Sequence, residues 1–430
     1  MAPSQTYDRR IIDDELDELL EGLAAVALDG PKGVGKTQTA LQRASTVYRL
    51  DDPQVLAAVR ASPAQALESR PPILIDEWQR WPPIWDFVRR AVDDGAPPGS
   101  FLLTGSAHPN PPPTHSGAGR IVSLRMRPLA FSERIGGQTV SLGDLLGGTR
   151  PEIRGKTDLT LVDYVAEILD SGFPGIRAQP RRVRRNQLDG YVRRVVDRDI
   201  PDEAGVAIRD PEALLRWMAA YGAATSTTTS FEKIRDAATA GHEAKPAKAT
   251  VQSYRSALSK LWLLDEVPAW IPTYNPLNEL SQAPKHQLSD PALAGRLLDL
   301  DDRALLAGNI SGVAVPRGGG TLLGALFEAL VTLSVRAYAA HNEAGRVGHM
   351  RSARGRQEVD LIVPHHAGTV LAIEVKLNPA ADDRDVRHLN WLEEKLGPER
   401  VLDKVVVTTG QFAYRRPDGV AVVPLALLGP

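Results

Sequence analysis

The run LAAVAL at residues 23–28, followed by Gly30-Pro31-Lys32-Gly33-Val34-Gly35-Lys36-Thr37, decides how the rest of this chain is read. The first six residues are a short apolar run of the kind that forms a buried parallel strand. The next eight satisfy the spacing G-x-x-x-x-G-K-[ST], and a helix is predicted over residues 38–48. Glycines in such a loop let backbone N–H groups converge on phosphate oxygens, and the helix N-terminus adds its dipole. Gly30, Pro31, Lys32, Gly33, Val34, Gly35, Lys36 and Thr37 are therefore the predicted nucleotide contacts. Lys36 would reach the β- and γ-phosphates of ATP, and the Thr37 hydroxyl would ligate Mg²⁺.

Working outward, a second apolar run at residues 73–75 ends in Asp76-Glu77. A buried strand with acids at its C-terminal tip suits a second half of the same site. Asp76 would hold the Mg²⁺ shell, and Glu77 would polarise the attacking water. A third strand at 101–103 ends in Thr104-Gly105-Ser106, where Thr104 or Ser106 would sense the γ-phosphate and a plain polar turn is the competing reading. After a Pro- and Gly-rich loop at 108–119 comes Arg120, the preferred arginine to stabilise transition-state charge, in cis or from a neighbouring subunit. In a chain with 40 Arg, a solvated surface role for it is the alternative.

The chain has 430 residues, 51 Lys+Arg against 53 Asp+Glu, and no cysteine. That length suggests two to four domains. Lack of Cys excludes disulfide scaffolds, thiolate metal sites and cysteine nucleophiles, leaving oxygen ligands that suit Mg²⁺. A net charge of −2 gives no global basic field, but it averages an acidic run at 13–21 with Arg-rich segments at 177–199 and 346–356. Only 11 residues are Lys, so a lysine at a chemically critical place carries weight. The N-terminus lacks a secretion pattern, and the most apolar stretch, 322–335, is too short to span a bilayer and contains Glu328. A cytoplasmic location without a membrane partner is expected.

Residues 136–205 read as helical and polar. The segment 177–199, with eight Arg and three Asp, reads either as a phosphate-tracking helix or lid, or as a salt-laced surface helix. Helices are predicted over 211–221, from 230, and over 249–261, the last with an apolar stripe of Val251, Tyr254, Leu258 and Leu261. With residues 263–270 as a wing, this order suggests a winged helix-turn-helix, competing with a helical packing module that never touches DNA.

The last third changes character. Strands at 358–363 and 370–377 flank a turn at Ala367-Gly368, so a hairpin would bring Asp360, Glu374 and Lys376 together. This D…(D/E)-x-K spacing resembles that of restriction-endonuclease-like nucleases. Asp360, Glu374 and the Val375 carbonyl would hold Mg²⁺ or Mn²⁺, Glu328 would add a carboxylate, and Lys376 would activate water. A strand-edge Glu374–Lys376 salt bridge is the alternative. Arg346, Arg351, Arg354 and Arg356 precede the hairpin as a candidate backbone-contact rim.

Taken together, the chain resembles the prokaryotic ATPases that join an AAA-type P-loop domain to a C-terminal domain of unknown function with a restriction-endonuclease-like core. The resemblance rests on residues 30–37, 74–77, 102–106, 119–133 and 172–175, on Y-x₅-D-R-D-I at 191–200, and on 250–270, 288–293 and 358–376. It implies an α/β, multi-domain chain that binds ATP and carries a winged-helix insertion and a nuclease-like terminal domain. The expected division is 1–135 ATPase, 136–205 helical lid or connector, 206–275 winged helix-turn-helix, 276–317 linker and 318–430 nuclease-like domain. The expected activity is a Mg²⁺-dependent ATPase that binds DNA and couples ATP to the terminal domain, with a homo-oligomer as a further expectation. The first alternative is a nucleotide-switched regulator, binding DNA or protein, whose terminal fold is a non-cleaving platform. The second is a protein-handling machine indifferent to nucleic acid.

Overall fold

The opening apolar run becomes the centre of a parallel sheet. The computed structural model describes residues 7–109, 112–239, 245–272, 283–307, 321–352 and 355–430. Strands β1 (Ala25–Asp29), β2 (Thr46–Arg49), β3 (Ile73–Asp76), β4 (Phe101–Gly105) and β5 (Val122–Arg125) lie in the order β2-β3-β4-β1-β5, all parallel. Alternation along β1 sends Ala25 and Ala27 into one hydrophobic cluster and Val26 and Leu28 into another, so both faces are covered. β3 and β4 are buried along their whole length for the same reason. Because the strands are parallel, their C-terminal ends share one edge. Asp29 pairs with Gly105 there, and Asp76 with Thr104.

Residues 136–205 differ from the helical connector expected of them. β6 (Val140–Ser141) and β7 (Gly155–Lys156) leave the first domain and join the C-terminal half. β7 forms the edge of a seven-stranded sheet with β8 (Gly348–Arg351), β9 (Glu358–Pro364), β10 (Val370–Val375), β11 (Val401–Thr408), β12 (Phe412–Arg415) and β13 (Ala421–Pro424). β6 pairs with β14 (Leu428–Gly429). Strands of two residues leave no periodic trace in a sequence, which is why they read as connector.

The predicted linker 276–317 also differs, in the part the structure describes. Pro291–Leu297 and Asp302–Ala307 are helices, and Leu288, Leu293, Leu298 and Leu305 lie in the largest hydrophobic core. That core also holds Val34, Trp217, Phe327 and Val423, so the expected domains share packed interior. The stripe of Val251, Tyr254, Leu258 and Leu261 on the helix Lys248–Lys260 and the residue that follows it is buried as expected. The wing is not a self-contained hairpin: Leu264 and Val267 bridge antiparallel to Leu288 and Lys285, and Ala269 bridges in parallel to His349 of β8.

The helix Leu322–His341 runs three residues beyond the apolar helix expected over 322–338. It has the length and composition to cross a membrane, but 78% of its most apolar window is buried inside the molecule. It packs as a core helix and sets Glu328 facing the second sheet.

Candidate functional site

At the C-terminal edge of the first sheet the glycine loop folds as the motif requires. Gly33 (φ 78°) and Gly35 (φ 111°) adopt left-handed conformations, and a Cβ on Gly30 would collide with the Met126 carbonyl. Lys36 is 5% exposed and folds back, its Nζ donating to the carbonyls of Gly30 (2.7 Å) and Pro31 (2.9 Å). Burial pulls its pKa down to about 8 even though Glu77, Asp29 and Asp76 oppose the shift. The same burial pushes Asp29 up to about 6.

Across the edge, the Thr37 hydroxyl donates to Asp76 Oδ1 (2.7 Å), and Thr104 donates to the same oxygen. Two hard oxygen donors side by side, next to a loop built for phosphates, fit Mg²⁺, which keeps several waters and takes few protein ligands. Glu77 sits just past β3 at φ 57°, a conformation a non-glycine residue adopts at a cost. Its carboxylate accepts from Ser106 Oγ (2.9 Å), and its backbone N–H donates to Thr104 Oγ1 (3.3 Å). The carboxylate is thereby aimed over the edge, where it can orient a water.

A second layer covers the loop. The helix Arg181–Arg194 continues as a π-helical turn, Val195–Ala204, which presents Asp199 and Glu203 to Lys32. Lys32 Nζ lies 2.6 Å from Asp199 and also pairs with Glu203, while Tyr191 donates to the Lys32 carbonyl (3.2 Å). Burial opposes charge on Lys32, but the two carboxylates outweigh it and raise its pKa. Ser106 Oγ reaches Glu203 at 3.4 Å, and Arg80 lies 3.7 Å from it. The arginines upstream are laced to acids, as in Arg177–Glu167, Arg184–Asp170 and Arg181–Asp302. Glu203 was not a candidate from the sequence; the Y-x₅-D-R-D-I stretch just before it was the available signal.

Arg120 is not part of this site in cis. It precedes β5, at the N-terminal edge of a parallel sheet, whereas the phosphate loop lies off the opposite edge. Its side chain is 49% exposed and pairs with Asp93 at 2.8 Å.

In the C-terminal sheet the hairpin forms as expected. Leu371 faces Val363 and Ile373 faces Leu361, so one more step sets Asp360 beside Glu374. The turn carries Ala367 and Gly368 at positive φ. Glu374 Oε1 accepts from Lys376 (2.6 Å), and Asp360 Oδ2 accepts from the Val375 N–H (3.0 Å). Glu328 joins them from the core helix. A residue that the sequence reading missed stands between them. Lys285 Nζ lies 2.8 Å from Glu328, 2.9 Å from Asp360 and 3.2 Å from Glu358, with its side chain 1% exposed.

These residues do not fit a divalent ion as arranged: an ammonium takes the place between Asp360 and Glu328, and the Val375 group facing Asp360 is the N–H. Among the described residues, no group of three His, Cys, Asp or Glu is arranged to hold a metal ion. The charges conform to this arrangement. Burial alone would lower the Lys285 pKa, but Asp360, Glu328 and Glu358 raise it well above the ordinary value. Burial lifts Glu328 to about 8, and burial with the Asp360 charge lifts Glu374 to about 8. Glu374 Oε2 is buried without a partner. Lysine scarcity singled out Lys36 and Lys376 and did not distinguish Lys285 from the rest of the 11 lysines. Of the expected basic rim, Arg351 donates to Thr228 Oγ1 (2.8 Å) and lies near Glu358, and Arg354 falls outside the described residues.

Residues 24–135 match the AAA domain family model. That part of the chain is an AAA-like domain. Beyond it, residues 162–304 match a domain of unknown function, DUF8612, and residues 323–428 match another, DUF4143. The first of these begins within the expected connector and ends within the expected linker. Two uncharacterized proteins, Rv2008c of Mycobacterium tuberculosis and Mb2031c of Mycobacterium bovis, are each 26% identical over 336 residues. The alignment covers 76% of this chain and 66% of theirs, so the chain spans just under two thirds of those relatives' length. Among solved structures, the Walker-type ATPase PABY2304 of Pyrococcus abyssi aligns at TM-score 0.41 and 14% identity, over 69% of this chain and 97% of that one. The ORC2 protein of Aeropyrum pernix aligns at 0.29 and 13%, over 71% and 98%.

Proposed function

We propose that this chain is a Mg²⁺-dependent ATPase that works as a nucleotide-controlled switch. The observation that carries the reading is the convergence of Thr37 and Thr104 on one oxygen of Asp76, beside a phosphate loop whose lysine is already buried. When ATP enters, Lys36 exchanges the carbonyls of Gly30 and Pro31 for phosphate oxygens, and the loop N–H groups cradle the β-phosphate. Thr37, with Asp76 behind it, would hold Mg²⁺, which supplies charge neutralisation on the phosphates. Glu77, steadied by Ser106, orients the attacking water. Asp199 and Glu203 compete with the phosphates for Lys32, so nucleotide binding and the position of the π-helical segment are linked.

Two readings of the remainder compete. In one, the terminal domain cleaves DNA; in the other, it is a non-cleaving platform for a DNA-binding regulator. The ammonium of Lys285 among the carboxylates favours the second. DNA engagement is proposed through the helix Lys248–Lys260, where Gln252, Ser253 and Ser256 are exposed. Arg255 is less free for this, because it stacks on Phe231 at 3.4 Å. Assembly into a homo-oligomer, with an arginine supplied in trans, belongs to the same proposal.

The test is phosphate release from Mg²⁺·ATP by the full chain and by Lys36→Ala. A gel-shift titration of duplex DNA with and without ATP, and a plasmid-nicking assay with Mg²⁺ or Mn²⁺, complete it. Lys36-dependent hydrolysis with nucleotide-sensitive DNA binding and no nicking is expected. Hydrolysis that survives Lys36→Ala overturns the ATPase reading; nicking that Asp360→Ala removes overturns the platform reading.

A further inference from the structure

A different cluster, whose side chains belong to neither site although Arg125 pairs in register with Asp29, has an excess of positive charge and room for a ligand. Arg125 at the end of β5, Arg127 just after it, Arg336 on the core helix and Arg346 before β8 line a polar cavity of about 150 Å³. Asp265 is the one carboxylate that lines it, so four guanidiniums face one acid and three positive charges are left over. Asp265 is fully engaged: Arg125 lies 3.0 Å from Oδ1, Arg127 3.0 Å from Oδ2 and Arg336 2.8 Å from Oδ1.

A structural salt-bridge network would stop near neutrality, because uncompensated charge away from water is costly. This one does not. Arg336 is 7% exposed, and burial together with Arg127, Arg125 and Arg346 pulls its pKa down to about 10 against the pull of Asp265. Arg125 is lowered for the same reasons, and its Nε is buried with no hydrogen-bond partner. Its guanidinium also stacks over Trp262 at 5.1 Å, which fixes its plane. Arg346 is exposed at the mouth and has no carboxylate within 4.0 Å among the described residues. Neighbouring acids are committed elsewhere: Glu133 holds Arg10, and Glu266 faces Arg255.

We propose that this cavity is an oxyanion site for a phosphate group, separate from the nucleotide loop. Guanidiniums recognise such groups through paired N–H donors, and a free Nε beside an unpaired arginine supplies them. The volume holds a few waters or one phosphate-sized group, but not a nucleoside beside it. The ligand is therefore free inorganic phosphate or the terminal phosphate of a strand that stays outside. The walls come from the AAA domain, the segment after Trp262, the core helix and the approach to the second sheet, so an occupant would tie these parts together.

The proposal does not depend on the ATPase reading, and Lys36→Ala is used only to silence the phosphate loop. Inorganic phosphate is titrated calorimetrically into the full Lys36→Ala chain, replacing chloride at constant ionic strength. One saturable site is expected, weakened at least tenfold by Arg346→Gln or Arg125→Gln and unchanged by Arg384→Gln on a remote helix. Arg346 is exposed and unpaired, so its variant should fold, and in the otherwise native chain it should leave ATP turnover unchanged. A 5′-phosphorylated oligonucleotide that binds more tightly than its 5′-hydroxyl twin, only when Arg346 is present, assigns the source to a strand end. Equal binding of the two assigns it to the free anion. Absence of a phosphate isotherm, or one indifferent to both arginine variants, overturns the proposal.

Discussion

Lys285→Met should destabilise the protein in a way that a divalent ion repairs. The substitution keeps an unbranched chain of similar length and removes one charge. In the folded protein that charge sits between Glu328, Asp360 and Glu358 at 2.8, 2.9 and 3.2 Å, and the lysine is 1% exposed. Deleting one partner of a buried ion pair costs about 3–5 kcal/mol, because the opposite charge is left without compensation. Glu328, whose pKa burial has lifted to about 8, already carries its proton near neutrality and adds no uncompensated charge, so a loss at the lower end, near ~3 kcal/mol, is expected. The vacated space is bounded by carboxylates, with the unpartnered Oε2 of Glu374 nearby, and becomes a set of oxygen ligands. Free Mn²⁺ at 100 times its Kd would restore about 2.7 kcal/mol. Urea unfolding of wild type and Lys285→Met, each with and without Mn²⁺, reads both terms. The wild-type chain controls for ion binding at Thr37 and Asp76, and adding Asp360→Asn should abolish the rescue. Equal midpoints for wild type and Lys285→Met, or equal stabilisation of both by Mn²⁺, would refute the claim that lysine is the resident cation.

Three further outcomes follow from the geometry. Glu77→Gln should keep nucleotide affinity and lower the hydrolysis rate about 10²- to 10⁴-fold, measured by single-turnover phosphate release. Glu203→Gln removes an acid that competes with phosphates for Lys32, and should tighten fluorescent ATP-analogue binding roughly tenfold in a titration. Stability should fall as pH rises from about 4.5 to about 8. Glu328 and Glu374 hold protons in the folded chain across that window and not in the unfolded one. Glu328→Gln should flatten that slope in urea midpoints taken across the same range.

The parts of the sites that could be read in advance are those written in consecutive residues. Gly30 to Thr37 specify their loop locally, and the acid after an apolar strand lands beside Thr37 because parallel strands share an edge. Asp360 and Glu374 were legible because a tight turn fixes register, and register fixes which side chains meet. Lys285 was not legible, since it approaches Asp360 across 75 residues from a stretch with no periodicity of its own. Glu203 was hidden in the same way: only the fold of the segment after Tyr191 brings it to Lys32. Arg120 lies outside the site in cis for a topological reason. Its position in sequence after a site strand says nothing about which edge of the sheet it occupies.

Both sites hold a charge from the chain itself where a ligand of the same sign would bind, yet the two are not equivalent. At the AAA domain the substitutes for phosphate are Asp199 and Glu203, and the Lys32 they hold is only half-buried, so water softens the exchange. ATP brings several negative charges and also recruits Lys36, which is parked on two backbone carbonyls that lose little when it leaves. At the second sheet the substitute for a metal is Lys285, enclosed by three acids. An incoming divalent ion would have to move that ammonium into solvent and strip protons from Glu328 and Glu374, both lifted to about 8. Near neutral pH the first exchange is easy and the second is opposed twice over. An exchangeable charge at the phosphate loop and a permanent one at the carboxylates is the asymmetry that the proposed nucleotide-driven switch on a fixed platform requires.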